Sequence, residues 1–207
     1  MKTLSLALLI PLAICAACSG RQESTSTQAT APPEAPAAGP EANVAPTQTP
    51  ATAAEPAQLT ARANLTAAAG ASASGDLELI SEGLAVRIRG EIAGLEPGKE
   101  HGFHVHEMGE CSPPDFTSAG EHLNPTKDPH GGPKSASKHL GDLPNLKADG
   151  SGRVALDVTM MGATLEDKDG GPNQILGKAL VVHAMPDDYK TQPSGDSGAR
   201  IACGVIR

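Results

Sequence analysis

The sequence predicts an all-β domain, an antiparallel β-sandwich or Greek-key barrel with little helix, and three observations carry that expectation. Several runs alternate apolar and polar residues with a period of two, the mark of half-buried strands. The 207 residues include 23 glycines and 18 prolines, a supply of turn formers that disfavours long helices. Only three residues are aromatic (Phe103, Phe116 and Tyr189), so the core of such a domain must be aliphatic.

The strands follow in order. Leu77-Glu78-Leu79-Ile80-Ser81 is the first alternating run. Leu84-Ala85-Val86-Arg87-Ile88-Arg89-Gly90-Glu91-Ile92 is a cleaner one, and Gly94-Leu95-Glu96-Pro97-Gly98 closes it with turn chemistry. His101 to Glu107, Arg153 to Met160, Ala179 to Ala184 and Arg200 to Ile206 complete the set. Met108 to Gly152 is a long stretch full of Gly, Pro, Asp and Asn, and a loop of that length in a compact domain is usually functional.

Ahead of this domain the chain reads as an address and a tether. Lys2 followed by the apolar run Leu4 to Ala17 has the pattern of an export signal, and its fourteen residues fall short of the ~20 needed to cross a bilayer. Leu12-Ala13-Ile14-Cys15-Ala16-Ala17-Cys18 resembles a bacterial lipoprotein signal, which makes 1–17 a signal peptide and Cys18 the lipidated N-terminus. Cys15 departs from the usual Leu-like residue, so plain signal-peptidase cleavage stays open. The segment 18–58 is a linker. From Ser19 to Gln58 it holds seven prolines, eleven alanines and no aromatic residue, too little apolar surface to offset chain entropy, so disorder is expected. As a random coil it reaches on the order of 35 Å. The folded domain is 59–207, long enough for one sizeable core.

Charge excludes one class of partner. The chain carries 16 basic and 24 acidic side chains for a net −8, and 59–207 carries 14 and 20 for −6. An acidic chain this poor in rings lacks both the cations and the stacking platforms of a nucleic-acid binder.

All seven histidines lie between positions 101 and 183, six of them within 39 residues. In Gly102-Phe103-His104-Val105-His106-Glu107 the strand period puts His104 and His106 on one face, where two imidazoles at i and i+2 can reach one metal. Taken alone they would pass for two solvated histidines. His101 shares the parity of Phe103 and reads as a hydrogen-bonded structural histidine. His122, His130, His139 and Asp142 are spaced irregularly for a helix but suit ligands offered by a long loop. Three imidazoles and a carboxylate favour zinc. His183 ends the run Leu180-Val181-Val182 and can join His104 and His106 in an all-imidazole set, which suits copper.

These segments, with Ser118-Ala119-Gly120-Glu121-His122-Leu123-Asn124-Pro125, His130-Gly131-Gly132-Pro133, His139-Leu140-Gly141-Asp142-Leu143 and Gly198-Ala199-Arg200-Ile201-Ala202-Cys203-Gly204-Val205-Ile206, resemble the copper/zinc superoxide dismutases along essentially all of 59–207. The resemblance implies an eight-stranded Greek-key barrel with long functional loops. It implies copper held by His104, His106, His122 and His183, and zinc held by His122, His130, His139 and Asp142, with His122 bridging the two. It further implies a disulfide between Cys111 and Cys203, an active-site arginine at Arg200, and at Asp187 a carboxylate linking one ligand histidine of each metal.

The implied activity is dismutation of superoxide to oxygen and hydrogen peroxide, with His122 as the proton carrier, in the periplasm or cell envelope and membrane-attached through Cys18. Pairing into a homodimer is left open, since family members differ in how, and whether, they pair. The substrate is an anion and the domain is negative, so a local positive field must win within a Debye length of roughly 8–10 Å. Arg200 is the first candidate, with Lys134, Lys138 and Lys190 as unplaced contributors; Met185 adds no charge. Two alternatives compete: a non-catalytic copper- or zinc-binding or copper-delivery protein on the same barrel, and an adhesion or scaffold lipoprotein with fortuitous histidines. The first would be expected to lose copper ligands or the arginine, and none is missing here.

Overall fold

Residues 58–166 and 170–207 are described by the structure, a computed structural model. The expected signal peptide 1–17, Cys18 and the expected linker up to residue 57 lie outside the described residues. Among the described residues nine strands form: β1 (Thr60–Ala67), β2 (Ser74–Ser81), β3 (Ala85–Ala93), β4 (Glu100–His101), β5 (Phe103–His106), β6 (Leu146–Lys147), β7 (Val154–Met161), β8 (Ala179–His183) and β9 (Arg200–Val205). Among the described residues the only helical turn is 3-10, Thr117–Ala119.

Alternation decides which face each strand buries. In β1, Ala61, Ala63 and Leu65 are buried and the residues between them are exposed. Sequence patterning passed over β1 because two of its three inward residues are alanines. β2 and β3 bury Leu77, Leu79, Val86, Ile88 and Ile92, and β7 adds Val154, Leu156 and Met160. On the outer face Arg87 pairs with Asp157 and Arg89 with Glu78, cross-strand ion pairs at the surface.

All neighbouring strands pair antiparallel, in the order β5-β8-β9-β1-β2-β3-β7. The sheet curls because β1 serves both halves: Thr60 to Leu65 pair with β2, while Thr66 and Ala67 pair with β9. β4 runs on into β5 past Gly102 and pairs with β6, which packs beside β7. Counting β4 and β5 as one pass gives eight. The passes β4/β5, β6 and β7 lie side by side, and β3 sits next to β7 although the chain must cross to reach β4, which is the Greek-key connection. Phe103, Val105, Leu180, Val182, Ala202 and Ile206 fill the same aliphatic core.

The other faces of β5 and β8 look out of the barrel yet are buried, because two long loops cover them. Residues 107–145 fold back along β5: Leu123 N–H donates to Val105 O at 2.8 Å, and Gly141 O accepts from Val105 N–H at 2.9 Å. Gly141 allows this approach, since a Cβ there would stand 2.2 Å from Val105 O. Phe116 and Ala119 pack on Ala179, Val181 and Cys203, and a Cys111–Cys203 disulfide fastens this loop to β9. The second loop, 184–199, joins β8 to β9.

Candidate metal centre

β5 pairs His104 with Val181 and His106 with Ala179, so both imidazoles stand on the outward face, as strand parity requires. The first loop brings His122 opposite His106. His183 arrives at the end of β8, where the register slips. Ring nitrogens of His104, His106, His122 and His183 all lie within 4.8 Å of one another. Nε2 of His106 and Nε2 of His183 are 3.4 Å apart.

Backbone carbonyls set which nitrogen faces inward. Nδ1–H of His106 donates to Gly120 O at 2.9 Å and Nδ1–H of His183 donates to Gly198 O at 3.2 Å, leaving both Nε2 lone pairs for the cluster. His104 is turned the other way: its Nε2–H donates to Asp187 Oδ2 at 2.9 Å and its Nδ1 faces in.

The second cluster is built on Asp142. Its Oδ1 lies 2.8 Å from His122 Nδ1, 3.1 Å from His130 Nδ1 and 3.2 Å from His139 Nδ1. Donors at zinc distance in a tetrahedron stand roughly 3.3 Å apart, so the three nitrogens already lie near that spacing from the oxygen. Asp142 Oδ2 accepts the backbone N–H groups of Gly131 and His139, which fixes the carboxylate. His122 belongs to both clusters, Nδ1 to one and Nε2 to the other.

Metals fit these residues on the chemistry of the orphaned atoms. Of the five buried side-chain polar atoms without a hydrogen-bond partner among the described residues, four (His104 Nδ1, His122 Nε2, His130 Nδ1 and His139 Nδ1) belong to the two clusters and the fifth is His101 Nε2; native interiors avoid such atoms. Burial pushes His104 down to about 4, with Asp187 offsetting only part of it, and pushes His183 down to about 3, helped by His104. Both therefore keep neutral, ligating imidazoles at neutral pH. Burial also pulls His130 down, but the Asp142 carboxylate beside Nδ1 and the hydrogen-bonded Asp187 carboxylate outweigh it and raise the group to about 9. Burial pushes the Asp142 and Asp187 carboxyls up, and their imidazole partners outweigh it, holding both well below the usual carboxylate range. All-imidazole donors suit copper, and the three-imidazole, one-carboxylate set suits zinc.

Asp187 spans the two clusters, Oδ2 on His104 Nε2 and Oδ1 on His130 Nε2, both at 2.9 Å. Asn145 brackets it, donating Nδ2–H to its carbonyl and accepting its N–H, and Tyr189 N–H donates to Oδ1. Arg200 is half-buried and anchored, donating to Phe116 O and Gly120 O at 2.7 Å each. Gly120 O thus holds both Arg200 and the His106 ring. Lys138 does not reach toward Arg200: its Nζ donates to His139 O and Asp142 O and ties the second cluster's loop. Lys134 and Lys190 flank Tyr189 at the surface. His101 is structural, its Nδ1–H donating to His183 O at 2.9 Å. The carbonyls of Gly120 and Gly198 went unseen in the sequence, as did Asn145, because nothing in the side-chain pattern marks them.

Residues 73–206 match the family model described as copper/zinc superoxide dismutase. A Cu-Zn superoxide dismutase of Aquifex aeolicus is 45% identical over 136 residues, covering 64% of this chain and 79% of that protein. The superoxide dismutase-like protein YojM of Bacillus subtilis is 44% identical over 128 residues, 60% of this chain and 63% of that one. The crystal structure of a SOD-like protein from Bacillus subtilis matches with a TM-score of 0.62 at 37% identity, covering 69% of this chain and 95% of that chain.

Proposed function

Because this chain belongs to the copper/zinc superoxide dismutase family, we propose that it converts two superoxide radicals and two protons to oxygen and hydrogen peroxide at the paired clusters. The observation that carries this reading is His122, one imidazole offering a nitrogen to each of two buried ligand sets. His104, His106, His122 and His183 would hold copper, and His122, His130, His139 and Asp142 would hold zinc. When bound, copper supplies one-electron exchange between its +2 and +1 states, and zinc supplies a fixed charge.

The chain's own groups do the rest. With a metal on each nitrogen His122 would carry no proton, and an Nε2 released from its metal would be placed to hold a proton for a product forming at the cluster. Asp187 keeps His104 and His130 in the tautomers whose Nδ1 atoms face the clusters. Arg200, anchored on two carbonyls beside His106, offers a local positive charge to an anion approaching a domain of net −6. Export to the cell envelope with a lipid on Cys18 completes the proposal; the apolar run Leu4 to Ala17 supports it, and so does the disulfide, a bond that persists in oxidising compartments.

Metal analysis of the purified protein, paired with a superoxide-decay assay with and without added copper, tests the reading. His122→Ala is expected to lower the content of both metals and abolish activity, and unchanged metal content would overturn the shared-ligand arrangement. A metal-loaded wild-type protein that leaves superoxide decay at the uncatalysed rate would favour a non-catalytic role instead, a reading kept open by a 44% identical relative that is called superoxide dismutase-like.

A further inference from the structure

We propose that Gln192 is a positioning residue for the second cluster, holding His130 from the β8–β9 loop and setting how tightly zinc is retained. The carboxamide makes a two-point clamp on the backbone of His130. Its Oε1 accepts the His130 N–H at 2.8 Å and its Nε2–H donates to the His130 carbonyl at 2.9 Å, across 62 residues of sequence. Nε2 also reaches Lys190 O at 3.3 Å, which ties the clamp into its own loop.

His130 sits in an irregular stretch, between Asn124–Asp128 contacts on one side and the Gly132–Ser135 turn on the other. Neither strand pairing nor helix fixes its main chain. Asp187 fixes the ring through Nε2 and Asp142 holds the next N–H, that of Gly131, but the ring can still swing if the His130 Cα moves. Gln192 supplies the constraint on His130's own backbone N–H and carbonyl. With it, the β8–β9 loop holds His130 twice, at the ring and at the backbone, and Nδ1 stays aimed at Asp142 Oδ1, 3.1 Å away.

The inference rests on the second cluster binding zinc, and the test separates the two claims. Zinc is titrated into metal-free wild-type, Gln192→Ala and Lys190→Ala proteins against a chromophoric chelator, and the zinc-induced gain in Tm is recorded for each. Gln192→Ala is expected to bind zinc roughly tenfold more weakly, about 1.4 kcal/mol, the order of the hydrogen bonds removed. Its zinc-induced gain in Tm shrinks to match, whatever the metal-free Tm does. Lys190→Ala, which alters an exposed side chain of the same loop, keeps wild-type affinity. Wild-type affinity in Gln192→Ala overturns the proposal, and so does an equal loss in Lys190→Ala, which would assign the effect to the loop as a whole. Failure of the wild-type protein to bind zinc would instead overturn the reading of the cluster itself.

Discussion

Gly195→Ala removes no ligand and adds one methyl group, yet it should damage both clusters at once. Gly195 sits at φ +68°, and a Cβ there would lie 1.8 Å from Asp187 Oδ1 and 2.7 Å from His130 Nε2. The backbone cannot retreat easily, because Gly195 N–H donates to Thr191 O and Asp188 N–H donates to Gly195 O. The left-handed conformation alone costs a non-glycine residue roughly 1 kcal/mol. Displacing the Asp187 carboxylate breaks two hydrogen bonds to imidazoles, about 1.5–3 kcal/mol each for a charged partner. The total is about 4–7 kcal/mol, which at roughly 2–4 °C per kcal/mol for a domain of this size lowers Tm by about 10 °C or more. Loss of such a bridging partner also weakens metal binding about 10–100-fold. The control is Gly98→Ala, where φ is +73° and nothing lies within 4 Å, so only the conformational cost remains. Tm by calorimetry and copper and zinc content by elemental analysis decide it. If Gly195→Ala melts with Gly98→Ala and keeps both metals, the spanning role of Asp187 is wrong.

Two further outcomes are expected. Cys203→Ser opens the 92-residue crosslink, worth about 4–5 kcal/mol on chain-entropy arithmetic, so the melt should fall well below wild type and the Met108 to Gly152 region should exchange amide hydrogens faster; an unchanged melt would mean the bond contributes nothing. In the metal-free protein His104 and His183 titrate near 4 and 3, below the ordinary 6.5, so unfolding takes up protons and stability falls as pH drops from about 6.5 toward 4. His130, raised to about 9, acts oppositely: its contribution is complete below about 6.5 and is lost as pH rises through 9. Urea unfolding at pH 4.5, 6.5 and 9 should therefore peak at the middle value, and a rise toward pH 4.5 would contradict the burial of neutral imidazoles.

What the sequence disclosed depended on whether side-chain identity or backbone position did the work. Period two separated Phe103 and Val105 from His104 and His106, and the structure buries the first pair in the core and sets the second beneath the loops. The same signal failed for β1, where Ala61 and Ala63 are too small to register as an apolar face. Spacing suggested that His122, His130, His139 and Asp142 belong to one loop, but Asp187 entered only through resemblance, since an aspartate after Pro186 in a polar loop carries no periodic signal. Gly120 O and Gly198 O decide the inward nitrogens of His106 and His183, and a backbone carbonyl is present at every position of any chain. Its role appears only once the loop is folded over the strand.

The sharing of groups between the clusters has an energetic consequence. Each buries two ring nitrogens without a hydrogen-bond partner among its imidazoles, a costly arrangement for the metal-free chain. The cost is spread because His122 and Asp187 each serve both sides, one as common donor and the other as common acceptor. Ordering one cluster therefore aligns part of the other: fixing His130 steadies Asp187, and Asp187 in turn steadies His104. The disulfide works on a different part of the same assembly, holding the first loop over Ala179 and Val181 so that Gly120 O stays in reach of His106 and Arg200. Two loops with little regular structure of their own thus gain their rigidity from side chains that bind across them, and a substitution at one of those linking side chains should be felt first as weakened metal affinity and only then as lost fold.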